Sequence, residues 1–302
     1  MRANQASVTA TKVARLVLYL AHHPRLSAAL PPGLGEWTER LLLAGGLARP
    51  WMISLYQTAA WRGLARWVER RTVAGQVLAI GLRKYFMDVE TRRAVAEGAT
   101  QVLVVGAGFD TLAPRLATEL PDVLFVEVDH PATQGRKRAA LDAMGPPAPN
   151  LRLVAADLAV RPLGDVIAEV EEWRDDAVSV VIAEGLLMYL EEAAVRSFFA
   201  QAHHATGTGS RVLFTWIPRD DAGALELGRL PTLVRRVLAL IGEPLRWGTR
   251  PEDLVPFLAE VGYALVEDPA RTDLHARFLV PVGLGDEIAG GAERVAIAVS
   301  AG

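Results

Sequence analysis

No cysteine occurs among the 302 residues of the chain. Disulfides, thiolate metal sites and a cysteine nucleophile are thereby excluded, and the expected location is a reducing cytoplasm. Long apolar runs are missing as well. Residues 13–21 are apolar apart from Arg15, but His22-His23-Pro24 follow at once and no small-residue cleavage site is present. No stretch reaches the roughly 18 apolar residues of a membrane span. An excess of either charge is also lacking: 32 Lys and Arg face 35 Asp and Glu, a formal net charge of −3. That balance suggests neither a nucleic-acid footprint nor an acidic tail. Closely spaced histidines with metal-ligand spacing are absent, as is a Gly-x-Ser-x-Gly turn, so metallohydrolase and nucleophile-elbow chemistry find no support.

What is present divides the chain in two. Residues 1–95 read as a helical cap: apolar positions recur at helical spacing in Val13, Leu16, Val17 and Leu20 and again in Leu64, Trp67 and Val68. Pro31-Pro32-Gly33 and Arg49-Pro50 cut this region into short helices. Four of the seven tryptophans lie here (Trp37, Trp51, Trp61, Trp67). They fill a helical core or form the flat apolar wall of a substrate pocket, and helical spacing alone does not separate the two.

Residues 96–302 alternate short apolar runs with amphipathic helices. The runs at residues 101–105, 123–128, 151–155, 178–183 and 211–216 are rich in valine and leucine, as suits parallel strands buried on both faces. Helical stretches are expected at 111–119, 132–143, 164–171, 191–202 and 251–261, and a helical insert at 219–249 contains an amphipathic helix over 231–241. Two further strand candidates, 262–266 and 276–280, are too close for a crossover helix and are expected to pair antiparallel. The predicted fold is α/β: a doubly wound, Rossmann-like, seven-stranded and mostly parallel sheet with a C-terminal antiparallel hairpin.

The chemistry gathers at the carboxyl ends of these strands. After the first comes Gly106-Ala107-Gly108-Phe109-Asp110-Thr111, a glycine turn opening a helix, where a ligand can approach backbone that carries no Cβ. A dinucleotide fingerprint would place a third small residue at position 111, and threonine stands there instead. Asp129 ends the second strand and is placed to accept both hydroxyls of a ribose, or to cap the next helix. Asp157 ends the third, where its carboxylate can take the amine of adenine while the Leu158 N–H serves a ring nitrogen; a plain turn residue is the alternative. Glu184-Gly185 ends the fourth, at the edge where open α/β sheets bind ligands.

Taken together, Arg83 and Asp88, residues 105–111, Arg115-Leu116, Glu127-Val128-Asp129-His130-Pro131, Lys137, Ala156-Asp157-Leu158 and residues 184–190 resemble the leucine carboxyl methyltransferase family, which includes bacterial small-molecule O-methyltransferases. Gly242-Glu243-Pro244 and Trp247-Gly248 are similar to its late segment. The resemblance implies a class I methyltransferase using S-adenosyl-L-methionine. It implies that Arg83 pairs with the methionine carboxylate. Gly106 and Gly108 would form the turn beside the methionine, Asp129 would hold the ribose, Asp157 and Leu158 would read the adenine, and Glu184 would sit by the methionine amine or sulfonium. Tyr189, near the same edge, is a candidate contact for a small-molecule acceptor methylated on a carboxylate or hydroxyl oxygen. No catalytic base and no metal ligand is nominated, and neither a nucleic-acid nor a membrane partner is expected. A nicotinamide-dependent oxidoreductase and a ligand-binding protein without catalysis are the competing readings.

Overall fold

A computed structural model describes residues 7–72, 74–226 and 244–301. Five helices come first: α1 (Val8–Ala21), α2 (Leu34–Ala44), α3 (Pro50–Tyr56), α4 (Ala59–Arg71) and α5 (Gln76–Ala96). The sheet strands are β1 (Gln101–Val105), β2 (Leu124–Asp129), β3 (Leu151–Ala155), β4 (Ser179–Ala183), β5 (Arg211–Trp216), β6 (Tyr263–Glu267) and β7 (Arg294–Ser300). Between them lie α6 (Leu112–Glu119), α7 (Pro131–Met144), α8 (Leu163–Ile167), α9 (Glu192–His204), α10 (Pro251–Glu260) and the short α11 (Arg271–Leu274).

The strand order is β3-β2-β1-β4-β5-β7-β6. The first five strands in that row are parallel, and β7 runs antiparallel to both β5 and β6. This is the seven-stranded class I methyltransferase sheet expected from the sequence. Alternate side chains explain the continuous apolar runs: Val102, Val104, Val180 and Ile182 join a core with α1, α2, α5, α6 and α7. Leu103, Val105, Val181 and Ala183 join the core beneath α8, α9 and α10 on the other face. Each central strand is therefore buried on both sides.

The terminal hairpin needs a correction. Residues 276–280 are helical, and the strand that pairs with β6 is β7, at 294–300. Leu274, Phe278 and Leu279 face the core while Ala276, Arg277 and Val280 face out, which is a helical period. A five-residue apolar run cannot by itself distinguish that pattern from a strand. The helix expected at 164–171 is also shorter, Leu163–Ile167. The helix expected at 231–241 lies outside the described residues. The described ends of the insert, 219–226 and 244–249, are turns and isolated bridges instead of helix.

The tryptophans fit neither expectation uniformly. Trp37 and Trp61 pack against the core, whereas Trp51 and Trp67 are 62% and 53% exposed. None of the four borders the cavity described next. Among the described residues, no helix is long and apolar enough to cross a membrane.

Candidate functional site

The chain turns left from β1 to β2 and β3, then returns to place β4 on the other side of β1. A crevice opens outside the carboxyl ends of β1 and β4, where the strand order reverses. A cavity of about 950 Å³ occupies it. Arg83, Gly106, Gly108, Asp129, Asp157, Leu158, Glu184 and Tyr189 all line this one cavity.

The glycine turn is built by a backbone that only glycine adopts without strain. Gly106 and Gly108 have φ of 70° and 55°. A Cβ on Gly106 would come 3.0 Å from the Leu186 side chain, and one on Gly108 would come 3.0 Å from the Ala10 Cβ of α1. Leu186 has a flexible end; Ala10 sits on a helix and cannot yield as easily. Gly108→Ala should therefore lose about 1–2 kcal/mol of stability from the left-handed backbone alone. It should also displace α1 from the cavity rim. Chemical denaturation checks the first effect, and an unchanged midpoint would refute it.

Asp129 is set by the same turn. Its Oδ2 accepts the Gly108 N–H at 2.6 Å and its Oδ1 accepts the His130 N–H at 2.6 Å. Burial pushes its pKa up, and the two N–H donors work against that rise. The alternative reading of Asp129 as helix cap does not describe it: His130 is the N-cap of α7, its Nδ1 accepting from Ala132 N–H at 3.2 Å. Glu127, two residues earlier, points away from the cavity and pairs with Lys137 at 2.7 Å. Asp157 is more open. Its Oδ1 accepts the Ala159 N–H at 3.0 Å, shaping its own turn, and its Oδ2 lies 3.8 Å from His130 Nε2.

The charged end of the cavity is a compact cluster. Arg83 Nε donates to Glu184 Oε1 at 2.6 Å, and Arg83 Nη1 donates to Glu293. Lys84 Nζ reaches the same Glu184 oxygen at 2.8 Å and also pairs with Asp110. Although burial opposes ionisation, Lys84 holds the Asp110 carboxyl down at about 2, and burial of Lys84 is outweighed by Asp110 and Glu184, which raise its pKa. Burial likewise opposes the charge on Arg83, but Glu293 and Glu184 raise its pKa. Arg83, Lys84 and Asp110 are thus charged near neutral pH.

Beneath this cluster, Asp88 of α5 pairs with Arg115 of α6, both almost wholly buried. That pair ties the helix carrying Arg83 to the helix that follows the glycine turn. Lys84, Asp110 and Glu293 were not singled out from the sequence as cavity residues. Asp110 lies two residues after Gly108, in the same turn segment, which could have flagged it; Glu293, just ahead of β7, carries no local signal. Ser7, the N-cap of α1, and Thr9, Ala10 and Val13 within it also reach the cavity from far away in sequence.

The sequence model of the leucine carboxyl methyltransferase family matches residues 39–203. A protein from Mycobacterium sp. (strain JLS), provisionally named an S-adenosyl-L-methionine-dependent methyltransferase, is 29% identical over 212 residues, covering 67% of this chain and 66% of its own length. A Streptomyces coelicolor protein with the same kind of name is 32% identical over 169 residues, covering 54% of this chain and 56% of its own. The aligned region thus spans about two thirds or less of these relatives. A Thermobifida fusca structure, provisionally named a methyltransferase, superimposes with a TM-score of 0.55 at 18% identity, over 90% of this chain and 98% of its own. That likeness bears on the fold. The family match covers more than half of the sequence, from within α2 to within α9, and includes every motif that borders the cavity up to Tyr189. The chain belongs to the leucine carboxyl methyltransferase family.

Proposed function

We infer that this protein is an S-adenosyl-L-methionine-dependent methyltransferase acting on an oxygen of a small-molecule acceptor. One observation carries the reading: a single cavity at the switch point brings together seven residues suited to the separate parts of that cofactor. The cradle fits. The glycine turn leaves backbone open where Cβ atoms would intrude, and a buried carboxylate waits 21 residues along the chain from it, already oriented by two N–H groups.

The roles follow from chemistry. Arg83 offers a planar fork to the methionine carboxylate. Glu184 sits where it can face the methionine amine, Asp129 can accept the ribose hydroxyls, and Asp157 with the Leu158 N–H can read the adenine edge. When bound, the cofactor supplies an electrophilic methyl group on sulfur. The protein's own contribution is alignment and exclusion of water. Val13, Ala14 and Val17 of α1, Leu34 of α2 and Ile80 of α5 give the cavity an apolar wall, which supports the helical region 1–95 as part of the acceptor pocket. Tyr189 and Arg246 line the other side.

His130 is the cavity histidine among the described lining residues, and its Nδ1 is committed to capping α7. An acceptor carboxylate, ionised at neutral pH, needs no base and suits such a site; a hydroxyl would need one. Calorimetric titration with S-adenosylmethionine and with NADH tests the reading. Binding of the first and not the second is expected, and failure of S-adenosylmethionine to bind would sink it. Incubation with carboxylate and phenol panels, followed by mass spectrometry for a gain of one methyl group, then tests the oxygen acceptor.

A further inference from the structure

Arg83 presents three nitrogens, and their commitments are unequal. Nε is bound to Glu184 and Nη1 to Glu293, while Nη2 donates to no group among the described residues. A carboxylate grips a guanidinium best with two parallel hydrogen bonds. Nη1 keeps one further N–H and Nη2 keeps two, so a carboxylate entering end-on shares Nη1 with Glu293, while one entering side-on meets Glu184 on Nε.

The two glutamates are held differently. Glu184 is also held by Lys84, at 2.8 Å on the same oxygen. Glu293 has Oε1 buried and accepting no hydrogen bond among the described residues. A buried carboxylate oxygen without a donor is costly to keep, which makes Glu293 the weaker of the two holds. Its position follows from topology. Because β7 is antiparallel to β5, with Arg294 opposite Trp216, it begins at the carboxyl edge where the parallel strands end. Glu293 is delivered to the cavity by that reversal, from outside the segment that matches the family.

We propose that Glu293 is a built-in competitor for the carboxylate of the incoming ligand. It shares Arg83 Nη1 with the entering methionine carboxylate and competes with it for the guanidinium charge, and so sets cofactor affinity below what Arg83 alone would allow. The proposal rests on the cofactor assignment above. The cluster of Arg83, Lys84, Asp110, Glu184 and Glu293 has two positive and three negative groups, and a neutral residue at 293 balances it.

The test is titration of the wild type, Glu293→Gln and Glu293→Ala with S-adenosylhomocysteine, which has the methionine carboxylate but no sulfonium charge. Both variants should bind about tenfold more tightly than the wild type, within the range of couplings between contacting residues. In an Arg83→Gln background, Glu293→Gln should change affinity by less than about twofold, because nothing is left to compete for. Unchanged or weaker binding by both single variants, with the wild type binding, would overturn this inference and leave the cofactor assignment intact. A wild type that binds neither S-adenosylhomocysteine nor S-adenosylmethionine would overturn both.

Discussion

Asp129→Ala should weaken S-adenosylmethionine binding by about 100-fold, close to 2.7 kcal/mol. The carboxylate is only 7% exposed, and each of its oxygens already accepts a backbone N–H at 2.6 Å. Removing it strands the Gly108 and His130 N–H groups, and lost hydrogen bonds to a charged group cost about 1.5–3 kcal/mol each. The damage reaches both the proposed ribose contact and the glycine turn. Asp129→Asn separates charge from shape: its amide can present only one acceptor oxygen to the two N–H groups, so it should also bind poorly. Asp157→Ala is the contrast. Its side chain is 42% exposed and shapes its own turn, so a loss of only several-fold, about 1 kcal/mol, is expected. Calorimetry on all three variants decides the order, and a loss under about fivefold for Asp129→Ala would contradict the role proposed for it.

The contrast between these two aspartates marks how far the sequence was legible. Both were visible because a strand end is a local feature: an apolar run stops and an acid follows. Parallel strands were equally visible, because burial on both faces leaves no polar alternation in residues such as 101–105 and 179–183. Environment was harder to read. Glu127 and Asp129 are two residues apart on one strand, and only the strand's end before His130-Pro131 favours Asp129; that Glu127 is paired inside the protein while Asp129 borders the cavity has no local sign. The missed strand has a similar cause. The chain makes a helical excursion between β6 and β7, so the partner of β6 lies far beyond the next apolar run. The same excursion hides Glu293, whose contact with Arg83 spans 210 residues. Long-range contacts of this kind leave no spacing to recognise.

Lys137→Met should be the most destabilising of the substitutions considered, by about 3–5 kcal/mol near pH 8. Lys137 and Glu127 are 0% and 1% exposed at the side chain and meet at 2.7 Å between α7 and β2. Removing the cation leaves a carboxylate in an apolar interior, and Glu127 Oε2 has no hydrogen-bond partner among the described residues even with the lysine present. Burial outweighs Lys137 and pushes Glu127 up to about 7, from 4.5 in an exposed chain. Between those values the folded protein keeps a proton that the unfolded chain releases, so the stability contributed by this site falls as pH rises from about 4.5 to 7 and is level above. Without Lys137 the folded value moves higher, the window widens upward, and the loss deepens. The gap between wild type and Lys137→Met should therefore be small near pH 5 and largest near pH 8. Glu127→Gln added to Lys137→Met removes the stranded charge and should recover much of the stability, since a buried ion pair is often replaceable by neutral groups of similar volume. Urea denaturation at the two pH values measures all of this. A penalty for Lys137→Met that is independent of pH, or no recovery in the double variant, would show that the lysine acts through packing and not through its charge.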